Sequence, residues 1–175
     1  MARIRKFIAY RRLERPYTRV SKFREKAYVR MTPNPVVIRF NMGNGTKKFK
    51  YTLNLISKAD LQIRDNALES ARQTSNRLLE STIGTTNYFM RLMAYPHHIL
   101  RENPLASGAG ADRFSTGMQR SFGKPIGVAA RIKRGKSIMQ VSVEKENIEL
   151  ATRALRRASQ KLPCSTMVVV DENKL

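Results

Sequence analysis

Cysteine is nearly missing from this chain: Cys164 stands alone, which excludes an internal disulfide and a Cys-rich zinc site and points to a reducing compartment. Its thiol reads as buried and inert. Long apolar runs are missing too. No run approaches the roughly 18 residues that a membrane span needs, and Met1-Ala-Arg-Ile-Arg-Lys-Phe-Ile8 is too short and too broken by arginine for a signal segment. The chain is therefore expected neither to be exported by that route nor to span a membrane, so Asn44-Gly45-Thr46 reads as a turn rather than a glycosylation site. Acidic residues are scarce. Thirteen Asp+Glu face 34 Lys+Arg across 175 residues, leaving a net charge of +21. That is far outside the magnitude of about 2 to 8 that suits a soluble small domain. With 41% hydrophobic residues the chain can still bury a core. A compact body with this excess repels itself and gains free energy by displacing counterions from phosphates, so its partner is expected to be a polyanion.

The charge is not spread evenly. Residues 1–30 hold eleven Lys/Arg and two Glu, interleaved with Phe7, Tyr10, Tyr17, Phe23 and Tyr28 and without a period of 2 or 3.6. This reads as an extended basic arm over residues 1–35 whose cations follow a phosphate backbone and whose rings stack or pack. A single domain is expected over 36–175. After Pro33-Asn34-Pro35, the stretches 36–42 and 49–55 flank Gly43-Asn44-Gly45 and predict a β-hairpin. Ser57 and Asp60 suggest a cap for a helix over 58–81 with Ile63, Ala67, Leu68, Ala71 and Leu78 as its apolar stripe, stopped by Gly84. Strands are expected at 87–95, 97–101, 126–133, 137–143 and 166–170, the third and fourth joined as a hairpin by Arg134-Gly135-Lys136. A helix over 145–161 buries Ile148, Ala151, Leu155, Ala158 and Leu162 and turns Arg153, Arg156, Arg157 and Lys161 outward. Between them lies a long irregular stretch, with a mobile loop at about 102–117. The order of elements predicts an α+β fold, a mixed or antiparallel sheet with two packed helices.

Catalytic and metal constellations are thin. Gly117 to Pro125 imitates a phosphate-binding P-loop, but five residues separate its glycines and proline follows Lys124 where Ser or Thr belongs. Ser107 to Arg113 begins like a dinucleotide fingerprint and has Arg113 at the third glycine. His97 and His98 are adjacent on extended chain and so point to opposite faces, which is unsuited to one metal. Glu144, Glu146 and Glu149 gather at a helix start, where the macrodipole favours them, and read as capping residues. The glycine-bearing loop, ringed by Arg113, Arg120 and Lys124, suits RNA better than any of these chemistries.

Tyr95-Pro-His-His-Ile-Leu-Arg-Glu-Asn103, Gly108-Ala-Gly-Ala-Asp-Arg113 and Thr116-Gly-Met-Gln-Arg-Ser-Phe-Gly-Lys-Pro125 closely resemble the archaeal and eukaryotic branch of the large-subunit ribosomal protein L sixteen family, also called L ten e. The resemblance continues collinearly through Arg15 to Arg19, Gln62 to Glu69, Glu144 to Asn147, Ala154 to Ser159 and Lys161 to Pro163. It implies a hammerhead-type α+β body on the large-subunit rRNA, with the arm and the internal loop reaching toward the tRNA-binding and peptidyl-transfer region. Arg3, Arg5, Arg11, Arg12, Arg15 and Arg19 would follow rRNA in the arm, and Arg120 and Lys124 would face it beside the loop. Ser107, Gly108, Ala109, Gly110, Ala111, Asp112, Arg113, Phe114, Ser115, Thr116 and Gly117 would form the loop approaching tRNA. Two departures stand out. Val29-Arg-Met-Thr-Pro-Asn-Pro35 replaces a Gly-Val-Pro-Gly-Pro-Lys type turn, and Pro104-Leu105 replaces a Lys-Met pair.

The resemblance implies a cytoplasmic structural constituent of the large subunit. Its implied partners are 23S-type rRNA, 5S rRNA, tRNA and neighbouring ribosomal proteins. It implies no catalytic residue, no metal ligand and no cofactor beyond structural magnesium ions at the RNA interface. Two rivals follow from the residues alone. One is a free-standing nucleic-acid chaperone or DNA-binding protein, which the charge suits but no recognised motif supports. The other is a phosphate-handling enzyme resting on the near-miss glycine motifs.

Overall fold

The computed structural model describes residues 5–13, 23, 25, 31–102 and 123–173. Among these residues eight strands and two helices follow a short 3-10 turn at Phe7–Tyr10: β1 Asn41–Gly43, β2 Tyr51–Ser57, β3 Leu61–Arg64, α1 Asp65–Ile83, β4 Tyr88–Leu92, β5 His98–Glu102, β6 Lys124–Ile132, β7 Ser137–Val143, α2 Ile148–Ser159 and β8 Thr166–Glu172. The strands form two antiparallel sheets, one of five strands ordered β1-β4-β7-β2-β8 and one of three ordered β3-β6-β5. The fold is α+β, as the order of elements predicts.

Both helices pack on each other and α2 also covers the five-stranded sheet. The buried residues of the pair are Ala151, Ala154, Leu155 and Ala158 on α2 and Leu68, Ala71, Ser75 and Leu79 on α1. Ser75 keeps its hydroxyl satisfied by donating to the Ala71 carbonyl at 2.8 Å. Leu53, Leu55, Met90, Met139, Val141 and Val143 complete this core from the sheet. Gly84 ends α1 with φ +75°, its N–H donating to the Glu80 carbonyl at 3.2 Å. The Asn44 turn is also as expected, the Asn44 carboxamide accepting from Thr46 N–H at 3.0 Å and the Thr46 hydroxyl at 2.7 Å.

Several expectations need correction. The stretches 36–42 and 49–55 do not pair as a hairpin: β1 lies on β4, with Met42 opposite Met90, whereas β2 lies between β7 and β8. Strands β6 and β7 do not pair either, since the Arg134-Gly135-Lys136 turn carries the chain from the small sheet to the large one. The helix expected from residue 58 begins at Asp65, because 61–64 is strand β3 and pairs Leu61 with Ile132 and Ile63 with Ala130. Ser57 does not cap it. Its hydroxyl bonds Ala59, while Asp60 accepts the Arg134 N–H at 2.6 Å. The second helix is shorter than expected, its first three residues forming a 3-10 turn at Lys145–Asn147, and no glutamate there makes a capping hydrogen bond. Among the described residues, no helix is long and apolar enough to cross a membrane.

Candidate nucleic-acid interface

The described part of the arm is stitched to the small sheet. Tyr10 buries its ring with Leu100 and Ala129, and its hydroxyl donates to Glu102 Oε1 at 2.7 Å while accepting the Arg5 N–H at 3.1 Å. Burial pushes the Tyr10 hydroxyl pKa above its ordinary value, with the neighbouring Glu102 adding to the rise. Arg5 Nε meets Glu102 Oε2 at 3.0 Å, and Arg64 Nη1 donates to the Arg5 carbonyl at 3.3 Å. Gln62 then holds the next turn of chain from both its backbone and its side chain: its N–H donates to the Arg11 carbonyl at 3.2 Å and its Nε2 to the Arg12 carbonyl at 2.5 Å. The backbone of residues 11 and 12 is thus fixed while both guanidinium-bearing side chains stay exposed.

Lys124 opens β6, exposed, opposite Glu102 in the register, so the two residues bounding 103–123 sit together at one end of the small sheet. Because Lys124 starts a strand, it lacks the helix N-terminus a P-loop lysine requires. The structure therefore brings Arg5 and Tyr10 onto Glu102, the neighbour of Lys124, and places Arg11 and Arg12 on β3. Arg3, Arg15, Arg19, Arg120 and the loop Ser107–Gly117 with Arg113 lie outside the described residues.

Four ion pairs occur among the described residues, Arg5–Glu102, Lys47–Glu144, Lys50–Glu172 and Arg72–Glu69. The last is internal: Arg72 Nε and Nη2 meet Glu69 at 2.8 and 2.5 Å with both side chains only 13% exposed. These bonds raise the Arg72 pKa and lower that of Glu69. Most of the other described cations form no ion pair among the described residues. Arg153, Arg156 and Arg157 line the outer face of α2, Lys161 follows its end, and Lys133, Arg134 and Lys136 surround the turn after β6, all exposed and unpaired among the described residues. Unpaired surface cations of this density are the electrostatic footprint of a phosphate-binding surface.

The two histidines part as alternation predicts, His97 exposed and His98 buried. Burial first, then the charges of Arg131 and Arg101, bring His98 down to about 4, so its imidazole is neutral at pH 7. Among the described residues no three His, Cys, Asp or Glu side chains gather as a metal site. Cys164 is half-buried and burial pushes its thiol up, away from thiolate reactivity. One constellation escaped the sequence reading: Phe40 stacks on Tyr95 and His97 tilts against Tyr95, a short ring ladder at the surface. Rings 55 residues apart carry no local signal of contact, although aromatic residues on either side of Pro96 marked half of it.

A two-sheet α+β body with a pinned basic arm and a field of unpaired arginines and lysines defines a polyanion-binding class. Comparison with known proteins narrows it: the family model described as Ribosomal protein L16p/L10e matches residues 14–169, and the chain belongs to that family. Among its relatives is a protein of Archaeoglobus fulgidus, 48% identical over 163 residues, covering 93% of this chain and 90% of the relative. One from Methanococcus maripaludis is 46% identical over 166 residues, covering 94% and 92%. One from Thermofilum pendens is 42% identical over 157 residues, covering 90% of each. All three carry the name Large ribosomal subunit protein uL16.

Proposed function

We infer that this chain is a structural constituent of the large ribosomal subunit, anchored on its 23S-type rRNA by phosphate neutralisation. The observation that carries the reading is the charge of +21 on a chain that is collinear with ribosomal relatives over nine tenths of its length. Arg11, Arg12 and Lys124, exposed and without ion pairs among the described residues, would contact rRNA phosphates, with Arg3, Arg15, Arg19 and Arg120 extending that track. Arg5 would contribute less, since Glu102 already shares its charge. Phosphate contacts would supply affinity, and RNA shape with base stacking would supply the choice of site. The loop from Ser107 to Gly117 would approach tRNA; 5S rRNA and adjacent ribosomal proteins would complete the surroundings. The role is positional rather than catalytic and needs no cofactor, with any magnesium held mainly by the RNA.

Sucrose-gradient sedimentation of cell extract tests the reading. The chain is expected in the large-subunit peak at low salt, and its absence there rejects the assignment. Deleting Gly108 to Thr116 separates the loop from the anchor: subunits should still incorporate the chain but accommodate tRNA poorly, and unchanged tRNA binding would make the loop passive.

A further inference from the structure

The ring ladder lies outside the arm and the loop. Phe40 and Tyr95 stack with centroids 5.1 Å apart and planes 22° apart, and Tyr95 meets His97 at 4.3 Å and 40°. The backbone sets this arrangement. His97 N–H donates to the Tyr95 carbonyl at 3.0 Å, folding a tight turn over buried Pro96 that brings the imidazole back onto the phenol ring. Leu92 N–H donates to the Phe40 carbonyl at 2.8 Å, which holds Phe40 alongside the end of β4. Tyr95 is 47% exposed, His97 is exposed, and the Tyr95 hydroxyl makes no hydrogen bond among the described residues. An exposed stack whose backbone is already ordered offers a flat apolar face at little further entropic cost.

Its neighbours decide what that face suits. Arg91 pairs with Asn41, the residue after Phe40, across β1 and β4; it is exposed and has no ion pair among the described residues, whereas Arg39 lines a groove with Arg72, Arg77 and Glu80 of α1. Ile38 and Met93 are exposed nearby, which an apolar peptide could also use. The unpaired Arg91 guanidinium in a chain of charge +21 favours a partner that carries phosphate beside a planar ring. We propose that the Phe40–Tyr95–His97 ladder is a stacking site for one unpaired RNA base, with Arg91 on a flanking phosphate. This rests on the RNA-binding reading above but concerns a different surface.

Fluorescence anisotropy with the full chain tests it, using a labelled single-stranded RNA octamer and a fully abasic octamer carrying the same phosphates. Tyr95→Leu should weaken binding of the base-bearing octamer about tenfold and leave the abasic one unchanged, while Tyr95→Trp should restore the loss. An equal effect on both probes, or none on either, overturns the proposal and leaves the face to an apolar partner. Should Tyr95→Leu fold poorly, photo-cross-linking of the unaltered chain to a 5-iodouridine octamer decides instead: adducts at Tyr95 or His97 support the site and adducts only elsewhere overturn it. Failure here with the chain still in the large-subunit peak leaves the ribosomal reading standing.

Discussion

Neutralising Arg11 and Arg12 together should change how RNA binding responds to salt, because the structure separates their backbone role from their charge. Their carbonyls accept the two Gln62 bonds at 3.2 and 2.5 Å, and these bonds do not depend on side-chain identity. An Arg11→Gln, Arg12→Gln chain should therefore keep its fold and lose only the two exposed cations. Each phosphate contact adds about 0.7 to the salt slope for single strands and about 0.9 for duplex. Losing two flattens the slope by about 1.4 to 1.8, so raising salt from about 50 to about 200 mM should weaken the variant about 7- to 12-fold less than the unaltered chain. Filter binding to a large-subunit rRNA transcript across that range measures the slope. An unchanged slope would show that neither arginine sits on a phosphate. Arg72→Gln is the control. Its charge is already taken by Glu69, so the slope should hold while stability falls by about 1–3 kcal/mol.

Acid should act through two groups. Glu69 is held below its ordinary value by Arg72, so the pair's stabilisation is present at neutral pH and lost as pH falls through the depressed value; urea melts of Arg72→Gln should lack this acid loss. His98 at about 4 stays neutral in the fold while the unfolded imidazole protonates near its ordinary 6.5, so stability should decline as pH falls from about 6.5 to about 4, and His98→Leu should flatten that decline. Gly43 and Gly135 both have φ +82°, but a Cβ on Gly43 would meet the Tyr88 carbonyl oxygen at 2.2 Å whereas Gly135 has nothing within 4 Å. Gly135→Ala should cost about 1–2 kcal/mol of backbone strain. Gly43→Ala should cost about 1–3 kcal/mol more, since it displaces the carbonyl that receives the Asn44 N–H at 2.9 Å; equal melting losses would contradict this.

Helix α2 was legible because its alanines and Leu155 recur at helical spacing against the outward Arg153, Arg156 and Arg157, and the pattern survives in the fold. Pairing was not legible. Alternation in 49–55 tells which residues face inward, but β2 finds its partners about 90 and 120 residues away, and the nearby β1 goes to β4 instead. Strand β3 escaped for another reason. Leu61, Gln62 and Ile63 are all buried because α1 and the arm occupy both sides of the strand, so no alternation remains and Ile63 and Ala67 imitate a helical stripe. The arm's basic character was plain in the sequence, while its seat was not, since the Tyr10–Glu102 bond spans 92 positions.

Hydroxyl-radical footprinting of large-subunit rRNA, with and without the bound chain, tests the central claim most directly. The account predicts one contiguous set of protected riboses, lost together when salt strips the protein. Weak protection scattered over unrelated RNA segments would contradict it and would favour a free-standing chaperone.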